Sequence, residues 1–279
     1  MRGSSRALAL ALLICMLSSL LFGCREKKIE PNSRMFYEYF DTVSVISDYS
    51  GGSDESFASM ASFFERELEK YHKLFDIYNE YEGMNNVYTV NRMAGVAPVK
   101  VDGVLIDLIQ FAIRMHGLTD GNVNIAMGSV LSLWHKHREG GKTIPSEADL
   151  REAAGHTDIS KVIIDTENST VYLADPDMSL DLGSLAKGYA AQRLAQSLKE
   201  QGYDHCVIDL GGNLRAIGSK VDGSSWRTGI RNPNLYADNP YIYYLDVADT
   251  SVVTSGDYQR YYVVDGKKYH HIINNLVLY

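Results

Sequence analysis

The chain has 279 residues, enough for one large domain or two small ones with a sizeable core. Hydrophobic residues make up 45% of it and charged residues 22%, an ordinary composition for a globular protein. The formal net charge of -8 excludes a broad nucleic-acid surface, which needs clustered Lys and Arg, but leaves a local nucleotide site open.

The N-terminus has the pattern of an export signal. Arg2 and Arg6 precede an apolar run over residues 7–22, which is short beside the roughly 20 residues of a spanning helix. The segment "LFGC" then places Cys24 at a boundary similar to a lipoprotein cleavage site. We therefore expect a lipoprotein signal peptide over residues 1–23, lipidation of Cys24 and a charged tether over residues 24–35. The domain would then sit on the extracytoplasmic face of a cell membrane, and an uncleaved N-terminal anchor is the alternative.

The first elements of the domain follow from side-chain patterns. Residues 36–49 are rich in β-branched and aromatic side chains, which predicts a strand. Apolar residues recur every three or four positions over residues 57–75 and 105–112, which predicts two amphipathic helices. Ser146 followed by Asp149 is a capping-box variant and predicts the start of a short helix.

The later half is richer in strands. "KVIIDTENSTVYLA" has two strand-like runs around a polar turn, which predicts a hairpin. A helix is expected over residues 183–201, where Ala190, Leu194 and Leu198 lie four apart. Turn residues then punctuate the strands "HCVIDL", "NLRAIG", "WRTGIRNP", "YIYYLDVA", "SVVTSG" and "RYYVVDGKKYHHII". The predicted fold class is α+β, with helices packed on a mostly antiparallel sheet.

Cysteine usage agrees with export of a domain that has no disulfide. Cys15 lies in the signal and Cys24 is the lipidation site, so the mature domain keeps only Cys206. One thiol cannot form an internal disulfide, and the apolar run "HCVIDL" predicts a small buried hydrophobe rather than a nucleophile.

The stretch "SLDLGSLAKGYA", residues 179–190, runs an apolar segment through a glycine turn into a helix. Gly183 permits a tight turn, the first helical amides lack internal partners, and Lys187 adds a positive charge one turn in. This arrangement suits an anion such as a phosphate. It matches neither the Walker pattern nor the G-x-G-x-x-G fingerprint, so an ordinary helix start is the alternative.

A second glycine junction lies in "VIDLGGNLRAIG". An apolar strand carries Asp209 near its end and is followed by Gly211, Gly212 and Asn213, which suit a tight turn or the close approach of a ligand. An ordinary hairpin would explain this junction alone. Two "DLG" junctions close together in the sequence favour a ligand site.

Together these motifs resemble those of the ApbE-type FAD:protein FMN transferases. The central motif of that family is similar to D-x-G-[GSA]-[IL]-A-K-G-Y, and "DLGSLAKGY" fits it at every position. The resemblance continues in order through "FDT", "FDIYNEY", "TVNRMAG", "DGNVNIAMGSVLSLWH", "DLGGN", "TGIRNP" and "TSGDYQRYYVVDGKKYHHII", covering roughly residues 36–273. It implies an α+β flavin transferase domain over residues 36–279.

The resemblance implies chemistry on a pyrophosphate. Family members use FAD with Mg2+, pass FMN to a Thr or Ser hydroxyl of a partner flavoprotein, and release AMP. By similarity, Asp181 and Lys187 contact FAD, and Ser184 stands where the family supplies a metal ligand. Phosphoryl transfer is catalysed mainly by positioning and charge neutralisation, which a cation, a lysine and a helix start can provide.

The same resemblance implies further FAD contacts. Phe40 stands where the family often has Met, and Asn124 replaces an aspartate, which removes any role there that needs a negative charge. Without the resemblance, Tyr78 would be read as a surface tyrosine, Asn91 as a turn residue and His271 as half of a solvent-facing pair. The expected FAD contacts are Phe40, Tyr78, Val123, Asn124, Ile125, Asp181, Lys187, His271 and Ile272, with Asn91 in a segment that approaches the nucleotide in relatives.

The match ends near the C-terminus. The family continues with D-P-x-T-G and later with an Asp and a Thr that complete the Mg2+ site, whereas this sequence reads "NNLVLY". Ser184 alone cannot hold a hard cation, which takes several oxygen ligands. We therefore expect a family member shortened at its C-terminus, with an incomplete metal site and exposed sheet edges.

Several functions stay open on the sequence alone. One is flavin transfer to an exported or membrane flavoprotein, such as a subunit of the Nqr or Rnf type, or to another lipoprotein. Another is a module that binds FAD without transferring it, or that hydrolyses FAD to FMN and AMP. A third is an extracytoplasmic lipoprotein that binds another ligand or serves as a scaffold.

Overall fold

The computed structural model describes residues 30–258, 260–275 and 277–279. Pro31–Tyr279 is one structural unit. The predicted signal peptide, Cys24 and the first half of the predicted tether lie outside the described residues. None of the helices in the described ranges combines the length and apolarity that crossing a bilayer requires.

Helices and strands are interspersed along this unit. The helices are α1 (Asp54–Phe75), α2 (Val87–Arg92), α3 (Gly103–Leu118), α4 (Gly128–Gly140), α5 (Glu147–Ala154) and α6 (Ala186–Glu200), with a 3-10 turn at Ile159–Lys161. The strands are β1 (Asn32–Phe36), β2 (Ser44–Asp48), β3 (Val99–Lys100), β4 (Val162–Asp165), β5 (Thr170–Leu173), β6 (His205–Leu210), β7 (Asn213–Gly218), β8 (Trp226–Arg231), β9 (Tyr241–Val247), β10 (Ser251–Val253), β11 (Tyr261–Val264) and β12 (Lys267–His270).

The strands form antiparallel sheets, which confirms the predicted fold class. The main sheet has the order β1-β2-β6-β7-β10, and α6 packs against β6 and β7. A smaller sheet has the order β3-β5-β4, and two hairpins pair β8 with β9 and β11 with β12. All of these strand pairs are antiparallel.

Helix α1 shows how the sequence builds the core. Ser53 caps it by accepting a hydrogen bond from the amide of Ser56, and acidic residues in the first turn favour the helix dipole. Its three- and four-residue apolar spacing places Phe64 and Leu68 on one fully buried face. That face joins the buried sides of α3, α6 and the main sheet in one hydrophobic core.

Several local predictions are confirmed. Helices α1 and α3, the β4–β5 hairpin and the strands β6 and β7 lie where the patterns place them. Ser146 caps α5 by accepting a hydrogen bond from the amide of Asp149. Cys206 is fully buried, and burial raises the pKa of its thiol to about 12, which agrees with a packing role.

The prediction of a single strand over residues 36–49 is wrong. Strands β1 and β2 pair as a hairpin, and Phe40 and Asp41 turn the chain between them with φ values of 56° and 50°. Strand β1 begins at Asn32, so the end of the predicted tether belongs to the main sheet. Side-chain composition indicates strand propensity. It does not reveal a left-handed turn in which Phe40 and Asp41, rather than glycine, have positive φ values.

The patterns do not predict α2 and α4. Helix α4 begins at Gly128, whose amide donates to the Ser179 carbonyl at 3.0 Å. A Cβ at Gly128 would lie 2.4 Å from that carbonyl oxygen, so only glycine fits. This close approach ties the start of α4 to the segment that leads into α6.

Candidate functional site

The loop before α6 is fixed to the rest of the domain. The side chain of Asn91 accepts from the Leu180 amide at 2.8 Å and donates to the Leu180 carbonyl at 3.0 Å. The Asp181 amide donates to the Ile125 carbonyl at 2.8 Å. The Asp181 carboxylate accepts from the Gly183 amide at 2.8 Å. The glycine turn is therefore held in place before the helix begins, and Asn91 has a structural role.

The start of α6 is open to an external acceptor. The helix begins at Ala186 rather than at residue 183, and no side chain in the described residues caps it. Ser184 is exposed just before it, and Lys187 is partly buried in its first turn. The Ala186 amide donates to the Leu182 carbonyl at 2.8 Å, whereas the Lys187 and Gly188 amides have no backbone partner in the described residues. Free amides at a helix start favour an anion.

Lys187 lies among other charges. Burial lowers the pKa of its ammonium group and nearby Arg260 lowers it further, while Asp181 and Asp41 act in the opposite direction. The positive charge of Arg260 therefore acts on Lys187 at the helix start. An anion bound between them would relieve their repulsion.

The second glycine junction joins two other segments. Gly211 and Gly212 have φ values of 59° and 89°, and the Gly212 amide donates to the Asp209 carboxylate at 2.7 Å. A Cβ on Gly211 would lie 1.9 Å from Oγ1 of Thr42, so only glycine fits beside this threonine. The Thr254 amide donates to the Gly212 carbonyl at 3.1 Å. The turn therefore brings the β1–β2 turn and the segment after β10 to one place.

The two glycine junctions meet at α6. The Asn213 side chain donates to the Leu210 carbonyl at 3.1 Å, which holds it at the end of β6. A Cβ on Gly188 would lie 3.5 Å from Oδ1 of Asn213, so this side chain lies directly beside α6. The geometry supports a shared site rather than two unrelated turns.

Arg260 connects two sides of this site. Its guanidinium lies 3.1 Å from the Asp41 carboxylate and also donates to the Asp41 carbonyl. The Arg260 carbonyl accepts from the His271 amide at 3.1 Å and lies 3.3 Å from Nδ1 of His271. His271 therefore lies beside Arg260, and Arg260 contacts Asp41; no sequence pattern singles out Arg260 or Asp41.

Tyr78 and His135 form another side. The Tyr78 hydroxyl lies 3.0 Å from Nδ1 of His135, and their ring centroids are 6.3 Å apart. Burial lowers the pKa of His135, while Asp181 acts to raise it. Burial also raises the pKa of Tyr78, with Asp181 adding to the effect. His135 is therefore neutral at pH 7. It is the last residue of the motif "DGNVNIAMGSVLSLWH", and the sequence alone did not identify it as a candidate site residue.

A small cleft of about 10 Å³ lies beside His135 and α4. Its walls are one face of α4 and the β11–β12 hairpin, and its lining residues are Leu131, Trp134, His135, Arg138, Tyr262, His270, His271 and Ile273. Burial lowers the pKa of His271, the hydrogen bond to the Arg260 carbonyl opposes this, and the Arg260 charge lowers it again. Ile272 is exposed beside the cleft.

The stretch over residues 123–125 supports the site through the backbone. The Ile125 side chain is fully buried in the core, so it presents only its carbonyl, to Asp181. Asn124 donates to the Thr157 carbonyl and accepts from the Ala126 amide, both at 2.9 Å. An aspartate could not make the first of these bonds, which gives a physical reason for asparagine here. The Val123 carbonyl lies 3.0 Å from Nδ1 of His116.

Phe40 is anchored at the edge of the core. Its ring lies 5.7 Å from His72 and 6.3 Å from Phe75, measured between centroids. Its amide donates to Nδ1 of His72 at 3.3 Å. The ring is partly buried and adjoins Asp41, so it remains close to the site.

The oxygen atoms of Ser184 and Asp181 are suitable ligands for a metal ion that a bound substrate also coordinates. Ser184 is exposed, and Oδ2 of Asp181 makes no hydrogen bond within the described residues. Mg2+ usually keeps several waters and binds one or two carboxylates together with substrate phosphates. These donors fit a Mg2+ ion shared with a bound pyrophosphate, and they do not fit an ion held by the protein alone.

A second group of possible metal ligands is better explained by ion pairs within the protein. His156, Asp175 and Asp177 lie within 4.8 Å of one another at the end of β5. Lys161 lies 2.7 Å from Asp175 and lowers the pKa of that carboxyl group to about 2. Because Asp175 is already neutralised and also bonded to His156, this cluster does not need a metal ion.

The fold and this site define a class of protein: an α+β domain in which two glycine junctions lie beside the start of one helix. The chain belongs to the ApbE family, whose model matches residues 40–279. Two curated relatives are named FAD:protein FMN transferase. The protein from Klebsiella pneumoniae is 35% identical over 72% of this chain, and that from Treponema pallidum is 36% identical over 66% of it. The matches span 64% and 54% of these relatives' own lengths.

Solved structures agree on the fold. The ApbE protein of Thermotoga maritima superposes with a TM-score of 0.77 at 28% identity, covering 90% of this chain and 78% of that protein. The flavin transferase ApbE of Vibrio cholerae gives a TM-score of 0.71 at 23% identity, covering 89% and 78%. The second similarity concerns the fold alone. Both agree with the predicted ApbE-like architecture.

Proposed function

We propose that this protein is a FAD:protein FMN transferase, which moves FMN from FAD to a Thr or Ser hydroxyl of a partner flavoprotein and releases AMP. One observation carries the proposal: the glycine junctions at Gly183 and Gly211 meet at an uncapped helix start that carries Lys187. The family membership and the names of the curated relatives support the same activity.

The protein's own groups would act mainly by holding the pyrophosphate. The amides at the start of α6 and the Lys187 ammonium would bind its oxygens, and neutralise the charge that develops there in the transition state. The acceptor oxygen forms a bond to the phosphorus of the FMN half, and the bond from that phosphorus to the bridging oxygen breaks. AMP leaves with the bridging oxygen, and the acceptor hydroxyl loses its proton.

We assign that proton to His271. Its Nδ1 lies 3.3 Å from the Arg260 carbonyl, a contact that favours the tautomer with the proton on Nδ1. Nε2 then carries the free lone pair and can accept a proton. Since burial lowers the pKa of His271, the imidazole is neutral at pH 7 and ready to act as a base.

Mg2+ belongs to the proposal as a shared ion. Ser184 and Asp181 would supply its protein ligands, and the pyrophosphate and water would supply the rest. Bound in this way, Mg2+ would neutralise phosphate charge.

The location and partner follow from the N-terminal sequence and the family. We propose that Cys24 carries a lipid anchor and holds the domain on the extracytoplasmic face of a cell membrane. The acceptor would then be an exported or membrane flavoprotein, such as an Nqr- or Rnf-type subunit or another lipoprotein. Metabolic labelling with a radioactive fatty acid would test the anchor, since Cys24→Ala should abolish the label.

AMP release tests the activity. The purified full-length chain is incubated with FAD and Mg2+, with and without a partner protein that carries the acceptor Thr. We expect AMP to form at least about tenfold faster with the partner than with its Thr→Ala variant, because only the former supplies the nucleophile. Equal AMP release with both would indicate FAD hydrolysis, and FAD binding without AMP release would indicate a binding module. Either result would contradict the proposed transfer.

A further inference from the structure

We propose that Arg260 is a second phosphate-binding residue of this site, and that Asp41 holds its guanidinium in position before the ligand arrives. The inference rests on the proposed function, because the ligand is the pyrophosphate of FAD. It concerns residues that the glycine motif does not contain. Arg260 lies between β10 and β11, and Asp41 in the turn between β1 and β2.

The Arg260 guanidinium has hydrogen-bond donors that its contacts with Asp41 do not use. Both of its contacts to Asp41, with the carboxylate at 3.1 Å and with the carbonyl, use Nη2. Nε and Nη1 make no hydrogen bond within the described part of the chain, and the side chain is 45% exposed. Arginine presents its donors in a planar fork that matches phosphate oxygens. The unused edge of Arg260 is therefore available to an incoming phosphate.

Asp41 is placed by the fold rather than by this ion pair. Its neighbour Phe40 is anchored on His72, and Thr42 lies against Gly211. Asp41 itself is 94% exposed, so the ion pair is well solvated and contributes little to stability. A weak, well-positioned ion pair can orient Arg260 and still release it to a stronger acceptor.

Arg260 would add a second fixed positive charge beside the pyrophosphate, in addition to the shared Mg2+. The pyrophosphate of FAD carries two negative charges at neutral pH, and Lys187 supplies one positive charge. Lys187 and Arg260 lie close enough to repel each other in the ligand-free protein. A pyrophosphate bound to both would satisfy its own charge and remove that repulsion.

Flavin fluorescence titration of the full-length chain with FAD tests this assignment. Arg260→Gln should weaken FAD binding by about tenfold or more at low salt, the loss expected for one charge-assisted hydrogen bond. The difference from the parent should narrow at high salt, because screening already weakens the contact in the parent. Asp41→Asn should weaken binding by a smaller factor that also narrows at high salt, because it removes the carboxylate that orients the guanidinium but keeps the carbonyl contact.

Arg227→Gln is the matched control. Arg227 is an exposed arginine of β8 that lies 3.4 Å from Asp246. The substitution Arg227→Gln should leave FAD affinity within about twofold of the parent, because surface substitutions usually have small effects. Asparagine also tolerates the left-handed backbone of residue 41, so Asp41→Asn should fold and can decide the question if Arg260→Gln does not.

The outcomes separate the two proposals. If the parent binds FAD and Arg260→Gln binds it equally well, the assignment of Arg260 is wrong and the proposed function stands. A salt-independent loss in both Arg260→Gln and Asp41→Asn would show a structural role and would also contradict the assignment. If the parent itself does not bind FAD, the proposed function fails and the inference fails with it.

Discussion

The positive charge of Lys187 does not stabilise the folded protein. Burial and the neighbouring Arg260 both lower the pKa of its ammonium group, so the folded protein disfavours the charged form. This group therefore costs stability in full below its folded pKa, and the cost falls as pH rises from that pKa and vanishes above the unfolded pKa. A buried, poorly compensated lysine at a helix start is typical of a binding site.

Replacement of Lys187 separates stability from binding. Lys187→Met should leave the melting temperature unchanged or raise it, because it removes a desolvated charge. It should weaken FAD binding by about tenfold or more, as expected for the loss of one charged hydrogen bond. Calorimetry and flavin fluorescence measure the two effects.

Lys199→Met is the control at the other end of α6. Lys199 lies 3.0 Å from Asp249 and is partly exposed, so its loss should cost little stability and leave FAD affinity intact. Unchanged FAD binding by Lys187→Met would contradict a phosphate-binding role for this lysine.

The lowered pKa of His271 predicts how the rate of AMP release changes at acid pH. Because burial lowers its pKa, the neutral base persists below the ordinary histidine range. The rate of AMP release should fall as pH drops through that lowered pKa, below the ordinary histidine range. Measured between about pH 5 and 8, His271→Gln should remove this acid limb together with most of the rate. An unchanged acid limb in that variant would assign the titration to another group.

Individual residues differ in how well the sequence predicts them. Cys206 is predictable because it lies in the apolar run "HCVIDL", where alternate residues are buried, and its thiol is indeed buried. Asp181 and Lys187 are predictable because they belong to a local motif. Arg260 and Asp41 lie 219 positions apart, so no local pattern could show that they form a pair.

At the scale of elements, Gly128 is the joint between α4 and the loop before α6. Gly128→Ala would place a Cβ 2.4 Å from the Ser179 carbonyl oxygen, and we expect it to cost about 1 to 3 kcal/mol, as overpacking usually does. Urea unfolding measures the change. The displaced loop should also weaken FAD binding, because the Asp181 backbone follows Ser179.

Gly117→Ala is the matched substitution. Gly117 lies in the last turns of α3 with no atom within 4 Å of an added Cβ among the described residues, so alanine should stabilise the protein by about 0.5 to 1 kcal/mol. If both variants had the same free energy of unfolding, the close approach at Gly128 would not be structurally important.

Elements with strong periodicity or capping signals are predictable from the sequence. Helix α1 has both an apolar stripe and a capping serine, and α5 has its own cap. Helix α4 has neither a side-chain cap in the described residues nor a clean apolar stripe, because its faces contact both the Trp134 cluster and the cleft. The β1–β2 hairpin is hard to predict because its left-handed turn contains Phe40 and Asp41 rather than a glycine, so the turn signal is weak.

At the scale of the whole molecule, the site is assembled from segments that are distant in the sequence. The turn between β1 and β2, the helix α4, the loop before α6, the β6–β7 turn and the chain around Arg260 each contribute one side. The sequence shows these segments as separate motifs, and the family resemblance predicts that they share a ligand. Only the antiparallel order β1-β2-β6-β7-β10 shows how the segments of the main sheet come together.

The most direct test of the account is covalent flavin on the acceptor. After incubation of the full-length chain with FAD, Mg2+ and the partner flavoprotein, a denaturing gel is read for flavin fluorescence in the partner band. The account predicts a fluorescent band that is absent with the Thr→Ala partner and strongly reduced with Lys187→Met. A partner band without fluorescence, from a chain shown to be folded and to bind FAD, would contradict the proposed transfer.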